Sequence, residues 1–177
     1  MTGAGFELLS LPDIGLAGEI PEDFDTLKEN ALAKAHYIYK RTHIPVFADD
    51  TGLEVDVLNG RPGVFSARYA GPGKNDAANI HKLLRELQNE PNRNARFKTV
   101  IAFIPPDGKE IFFEGIINGT IGMTPKGDQG FGYDPVFLPE GYDISFAEMD
   151  PVLKNKISHR SRAFEKFITY LNKNFTV

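Results

Sequence analysis

Residues 97–117 read Phe-Lys-Thr-Val-Ile-Ala-Phe-Ile, then Pro-Pro-Asp-Gly, then Lys-Glu-Ile-Phe-Phe-Glu-Gly-Ile-Ile. The runs 97–104 and 110–117 have the length and the β-branched and aromatic content of strands, and the Pro-Pro-Asp-Gly link is a turn signal, so the segment predicts a β-hairpin. A hairpin excludes a purely parallel sheet. Upstream, Thr26-x-x-Glu29 has the form of a capping box and predicts a helix from Thr26, with an apolar stripe of Leu27, Ala31 and Ile38, ending before Pro45. Val46-Phe47-Ala48 predicts a short buried strand running into Asp49 and Asp50, and the alternation over 53–58 suggests more strand. Residues 6–10 suggest another short strand, and 11–25 and 59–75 read as loops. Asp76 can cap a helix with the face Ile80, Leu83, Leu84 and Leu87. Residues 136–138 predict a strand, and Asp150-Pro151 starts the C-terminal helical region, where Phe164, Phe167, Ile168 and Leu171 form a buried face. Interspersed helices and strands give an α/β class with a mixed sheet, in one domain over 1–177.

Composition narrows the function. The chain has 177 residues, 41% of them hydrophobic, with 14 Phe, enough for a sizeable core. A net charge of −4 argues against a general nucleic-acid or membrane-surface binder. No cysteine is present, which excludes disulfides, thiol catalysis and thiolate metal sites. No apolar run approaches the roughly 18 residues of a membrane span. The opening Met-Thr-Gly-Ala-Gly lacks the basic region of a secretory signal, so a cytoplasmic protein is expected.

Three polar constellations stand beside the apolar elements. Asp49 and Asp50 follow a buried strand and precede Thr51-Gly52; they suit either a turn or a ligand site beyond a strand end. Adjacent residues of an extended chain face opposite ways, so one carboxylate at most enters a given cleft. Lys34 falls within the buried stripe of its helix, with Asn30 one turn earlier, and must snorkel to water or meet an anion. Segment 154–166 holds Lys154, Lys156, His159, Arg160, Arg162 and Lys166 against one acid, Glu165, which is either a solvated helix face or a local field for an anion. Phe131-Gly132-Tyr133-Asp134-Pro135 is either an aromatic-anchored turn or a set of rings able to stack on a base. The phosphate-loop, dinucleotide and nucleophile-elbow patterns are absent, and the four histidines show no zinc spacing. Any metal would therefore be a hard cation on carboxylate oxygen, most suitably Mg²⁺.

Five strings, in order, resemble the inosine/xanthosine triphosphate pyrophosphatase family: Glu29–Ala35, Phe47–Leu53, Gly63–Gly71, Gly130–Pro135 and Lys154–Arg160. The resemblance implies an elongated α/β fold, with a central mixed sheet, flanking helices and two lobes around a cleft, usually as a homodimer. It implies Mg²⁺-dependent hydrolysis of ITP, dITP and XTP to the monophosphate and pyrophosphate. By position it implies Asp50 as the catalytic acidic residue, acting as general base or metal ligand, Glu22 as a metal-binding glutamate, Lys34 on phosphate and Thr51 on substrate. It places Phe131, Gly132, Tyr133, Asp134, Lys154, Ser158, His159 and Arg160 around base and sugar. Hypoxanthine and xanthine carry an oxygen at C6 where adenine carries an amino group, so donors such as Arg160 would select them.

Family members also open with a strand and a [Ser/Thr]-x-Asn-x-x-Lys loop that grips the triphosphate. Here Met1 falls about where the first family helix ends, and the first 20 residues hold no lysine. The expectation that follows is an N-terminally incomplete domain, with a strand lacking from the sheet and reduced turnover. The alternative function is a non-catalytic nucleotide-binding or structural dimer subunit. A haloacid-dehalogenase-like phosphatase needs Asp-x-Asp, and the adjacent Asp49-Asp50 count against it.

Overall fold

The computed structural model describes residues 7–16, 20 and 22–175. In chain order its main elements are α1 (Leu27–Thr42), β1 (Val46–Val55), β2 (Pro62–Gly63), α2 (Asp76–Glu86), β3 (Asn94–Ile104), β4 (Ile111–Ile121), β5 (Phe137–Pro139), α3 (Pro151–Ile157) and α4 (His159–Asn174). The strands form one sheet in the order β2-β1-β3-β4-β5. The α/β class and the hairpin stand. The mixed character does not: every strand pair among the described residues is antiparallel. Pairing direction is decided by which distant strand docks beside β1, and local sequence does not carry it.

Local boundaries follow the chemistry of single residues. The Thr26 hydroxyl accepts from the Glu29 amide at 3.1 Å, so Thr26 caps the helix as read, and the Glu29 carboxylate closes the pair by accepting from that hydroxyl at 2.7 Å, where a full capping box would use the Thr26 amide. The expected short strand at 46–48 continues through the aspartates to Val55. Residues 56–58 are a 3-10 turn instead of strand, because Asn59 and Gly60 take positive φ values of 54° and 81° and reverse the chain. Asn75, not Asp76, caps α2. Residues 7–10 form no strand; a 3-10 turn over Pro12–Ile14 follows them, and residue 6 lies outside the described residues. Ile168 is exposed, whereas Phe167 is buried.

The sheet separates two helices. On one face α1 packs through Ala31 and Ala35 onto Ala102 and Ile104. On the other, α4 packs through Ala163 and Phe167 onto Ile101, Phe103 and Phe113. Alternation along β3 sends neighbouring side chains into different layers. A further cluster, including Leu53, Phe97, Ile117, Phe137 and Phe146, fills the far end of the sheet. Along 46–52, β1 has β3 on one side and no described strand on the other, since β2 pairs only with Leu53 and Glu54.

Gly115 sets how closely α4 approaches the sheet. A Cβ there would overlap the carbonyl of His159 and lie 2.5 Å from the amide nitrogen of Ala163, both backbone atoms of α4. Gly115→Ala must therefore push the helix start away, and overpacking of this kind costs about 3 kcal/mol. In urea unfolding, the midpoint should fall while the slope stays unchanged.

Candidate functional site

Thr26 caps the start of α1, and the packing of Ala31 and Ala35 on the sheet sets Lys34 beside β1. Lys34 Nζ lies 2.8 Å from Glu22 Oε1 and 2.9 Å from Asp50 Oδ1. Of the two readings open to a lysine in a buried stripe, it meets anions. Asn30, fully buried, accepts from the Phe24 amide at 3.0 Å and donates to the Phe24 carbonyl at 3.1 Å. That clasp fixes the segment carrying Glu22. Arg68 adds a bond to the Glu22 carbonyl at 2.7 Å and an ion pair to its carboxylate at 3.6 Å. Burial opposes the charge of Lys34, yet the bonds and charges of Glu22 and Asp50 prevail and hold its pKa above the ordinary value. Burial pushes the Asp50 carboxyl up, with Glu22 adding to it and Lys34 opposing.

Asp49 faces the other way. Its Oδ2 accepts from Arg160 Nη2 at 2.9 Å, so the adjacent aspartates serve different helices on opposite faces. Thr51 shares the Asp49 face, its hydroxyl 2.7 Å from that of Thr99. Ser158 caps α4, its hydroxyl accepting from the Ser161 amide at 3.2 Å. His159 stacks on Phe97, with centroids 4.6 Å apart and planes at 14°, and its buried Nδ1 has no hydrogen-bond partner among the described residues. Burial, aided by the charges of Arg160 and Lys154, lowers the His159 pKa from 6.5 to about 3, so the ring is neutral.

The 130–135 loop is pinned by two carboxylates. Asp134, itself buried, accepts from the Phe131 amide at 2.8 Å and from Lys154 Nζ at 2.5 Å. Asp76 accepts from the Gly132 amide at 2.7 Å. The two rings diverge: Tyr133 is buried in the core with its hydroxyl on the Ser66 carbonyl, whereas Phe131 is 67% exposed. Only Phe131 is free to stack on a ligand.

A hollow of about 1510 Å³ follows the open edge of β1 and is walled by both Lys34 and Asp49, with apolar side chains such as Ile38, Phe47, Phe103 and Phe167. Asp50 and Arg160 are hydrogen-bonded to those two wall residues. Phe131, Gly132, Tyr133, Asp134 and Lys154 form a separate cluster and do not line it. The sequence reading did not anticipate Asp76 on Gly132, Thr99 on Thr51 or Arg68 on Glu22. Each joins segments 46 to 56 residues apart, and only alternation along β3 hinted at the inward-facing Thr99.

The donor chemistry fits a divalent cation. Glu22 and Asp50 place two carboxylates around one cation already, the ammonium of Lys34. No group of three or more His, Asp or Glu that could hold a metal exists among the described residues. One or two carboxylates, completed by water and substrate phosphates, is the coordination habit of Mg²⁺.

Comparison with known proteins gives consistent matches. The model of the Ham1 family matches residues 1–170. A dITP/XTP pyrophosphatase of Christiangramia forsetii is 53% identical over 167 residues, covering 94% of this chain and 87% of that protein. One from Porphyromonas gingivalis is 53% identical over 166 residues, covering 93% and 85%. The solved Staphylococcus aureus Ham1 protein superposes with a TM-score of 0.85 at 40% identity, covering 92% of this chain and 83% of that one. The HAM1 protein from Coxiella burnetii gives 0.84 at 41%, covering 88% and 81%.

The neutrality of His159 has a measurable sign. Its folded-state pKa lies below the unfolded value, so its contribution is fully present above pH 6.5 and is lost as pH falls toward about 3. The advantage in melting temperature of wild type over His159→Gln should therefore shrink between pH 7 and pH 4 in thermal unfolding.

Proposed function

Because the chain belongs to the Ham1 family, we propose that it hydrolyses dITP and XTP, and with them ITP, to the monophosphate and pyrophosphate, clearing such purines from the nucleotide pool. The observation that carries the site assignment is the Glu22–Lys34–Asp50 cluster, a buried cation between two carboxylates at the wall of a large hollow.

Release of pyrophosphate means that water attacks the α-phosphorus and the bond from that phosphorus to the α–β bridging oxygen breaks. Asp50 orients the water and accepts its proton, a task helped by a pKa held up by burial. Lys34 neutralises charge on the departing pyrophosphate. A Mg²⁺ ion held by Asp50 and Glu22 would supply further charge neutralisation there. Thr51 contacts the substrate from the Asp49 face of β1. Phe131 offers its exposed ring to the base, and Arg160, with the neutral His159 beside it, supplies donors for the C6 oxygen. Lys154 and Asp134 fix the loop that presents Phe131, with Gly132 held by Asp76 and Tyr133 anchored in the core. Ser158 sets the start of the helix that carries His159 and Arg160.

A cytoplasmic homodimer belongs to the same reading. No helix among the described residues is long and apolar enough to cross a membrane. Light scattering in solution checks the dimer.

Pyrophosphate release from ITP, dITP and XTP with Mg²⁺ is the direct test. Turnover that requires Mg²⁺ supports the reading; ITP binding without turnover favours a non-catalytic nucleotide-binding subunit. Asp50→Asn should lower kcat by on the order of 100-fold or more, with the melting temperature largely kept. Lys34→Met should weaken both kcat and substrate affinity, because it removes the cation and leaves two carboxylates facing each other. Unchanged turnover in Asp50→Asn removes the base assignment.

A further inference from the structure

Asp49 has no task in the hydrolysis just described, yet it occupies a fixed place beside it. It sits on a strand laddered to β3 through the Asp49–Ile101 pair, and its carboxylate bonds the Arg160 guanidinium at 2.9 Å. The two side chains are 31% and 42% exposed, so the pair is well screened by solvent and worth little to the fold. What the contact does supply is orientation. A half-exposed arginine near a helix start has many rotamers, and one anchored Nη2 restricts them while leaving the other N–H donors of the fork free.

We propose that Asp49 is a positioning and specificity residue: it aims Arg160 at the C6 oxygen of the purine and cancels its charge. The inference rests on the functional reading above. The second half matters as much as the first. An unpaired guanidinium beside a cleft for a triphosphate would attract the phosphates themselves, which every nucleoside triphosphate carries. Paired with Asp49, Arg160 presents directional donors with little net charge. Such donors favour the uncharged oxygen that distinguishes inosine from adenosine, where a site built on hydrogen bonds discriminates most. The neighbouring Asp50 cannot take this part, because alternation turns it to the other face and Lys34 holds it there.

The test is a double-mutant cycle of Asp49→Asn, Arg160→Gln and both together, reading kcat and KM for ITP and ATP and inhibition by inorganic tripolyphosphate. Asp49→Asn should reduce the ITP-over-ATP ratio of kcat/KM by about tenfold, with KM for ITP rising by a larger factor than kcat falls. Tripolyphosphate should inhibit this variant more strongly than wild type. In the Arg160→Gln background, Asp49→Asn should add no further loss of selectivity. Arg160→Lys, which keeps the charge but loses the fork, should lose selectivity like Asp49→Asn, and this arm stands even if Asp49→Asn folds poorly. An unchanged ratio in Asp49→Asn, an equal fall of kcat for both substrates, or full additivity in the cycle overturns the inference alone. A wild-type protein that turns over no ITP overturns the functional reading, and this inference with it.

Discussion

The ammonium of Lys34, held between Glu22 and Asp50, is the contact on which the rest of the site depends. The side chains of Lys34 and Asp50 are mostly buried, and a charge removed from water is tolerated only when it is paired and hydrogen-bonded. That requirement propagates outward. Glu22 can serve as a partner only if its segment is fixed, which Asn30 does through both polar groups of Phe24 and Arg68 does through the Glu22 carbonyl. Lys34 can reach only if α1 lies close to the sheet, which the small Ala31 and Ala35 allow. Helix packing, the preceding loop and the 3-10 turn Ser66–Arg68 thus all converge on one cation.

The same strand carries a second ion pair on its reverse. Asp50 answers to α1 and Asp49 to α4, so β1 distributes two adjacent carboxylates between two helices. The sheet keeps them apart, yet the open edge of β1 lets Lys34 and Asp49 wall one hollow.

Much of this was legible because it is local. Thr26 caps the helix start, and helical periodicity places Lys34 and Asn30 on the buried side; the opposed directions of Asp49 and Asp50 follow from strand alternation alone. What stayed hidden depends on distant partners. The antiparallel pairing of β1 with β3 joins segments separated by α2, and no pattern within either strand states its direction. Tyr133 and Phe131 look equally suited to stacking, but Tyr133 is drawn into the core by a bond to Ser66, 67 residues away. Asp76 reads as a helix cap, and its helix position is nearly right, yet its carboxylate holds the amide of Gly132. The strand suggested at 6–10 does not form over residues 7–10, which lead into the 3-10 turn Pro12–Ile14.

The 130–135 loop shows how rigidity is obtained where the backbone itself is permissive. Gly130 and Gly132 take positive φ values of 80° and 59°, conformations open to many neighbours in an unrestrained chain. Asp134 removes that freedom by accepting from the Phe131 amide while paired with Lys154, and Asp76 holds Gly132 from outside. Lys154 Nζ also lies 5.5 Å and 5.3 Å from the ring centroids of Phe131 and Phe146, near enough for cation–π attraction to both. Since a Cβ at Gly130 would overlap the Asp134 carboxylate, the glycine is required by close approach as well as by φ. The backbone that carries the exposed Phe131 ring is thereby ordered by polar contacts as part of folding.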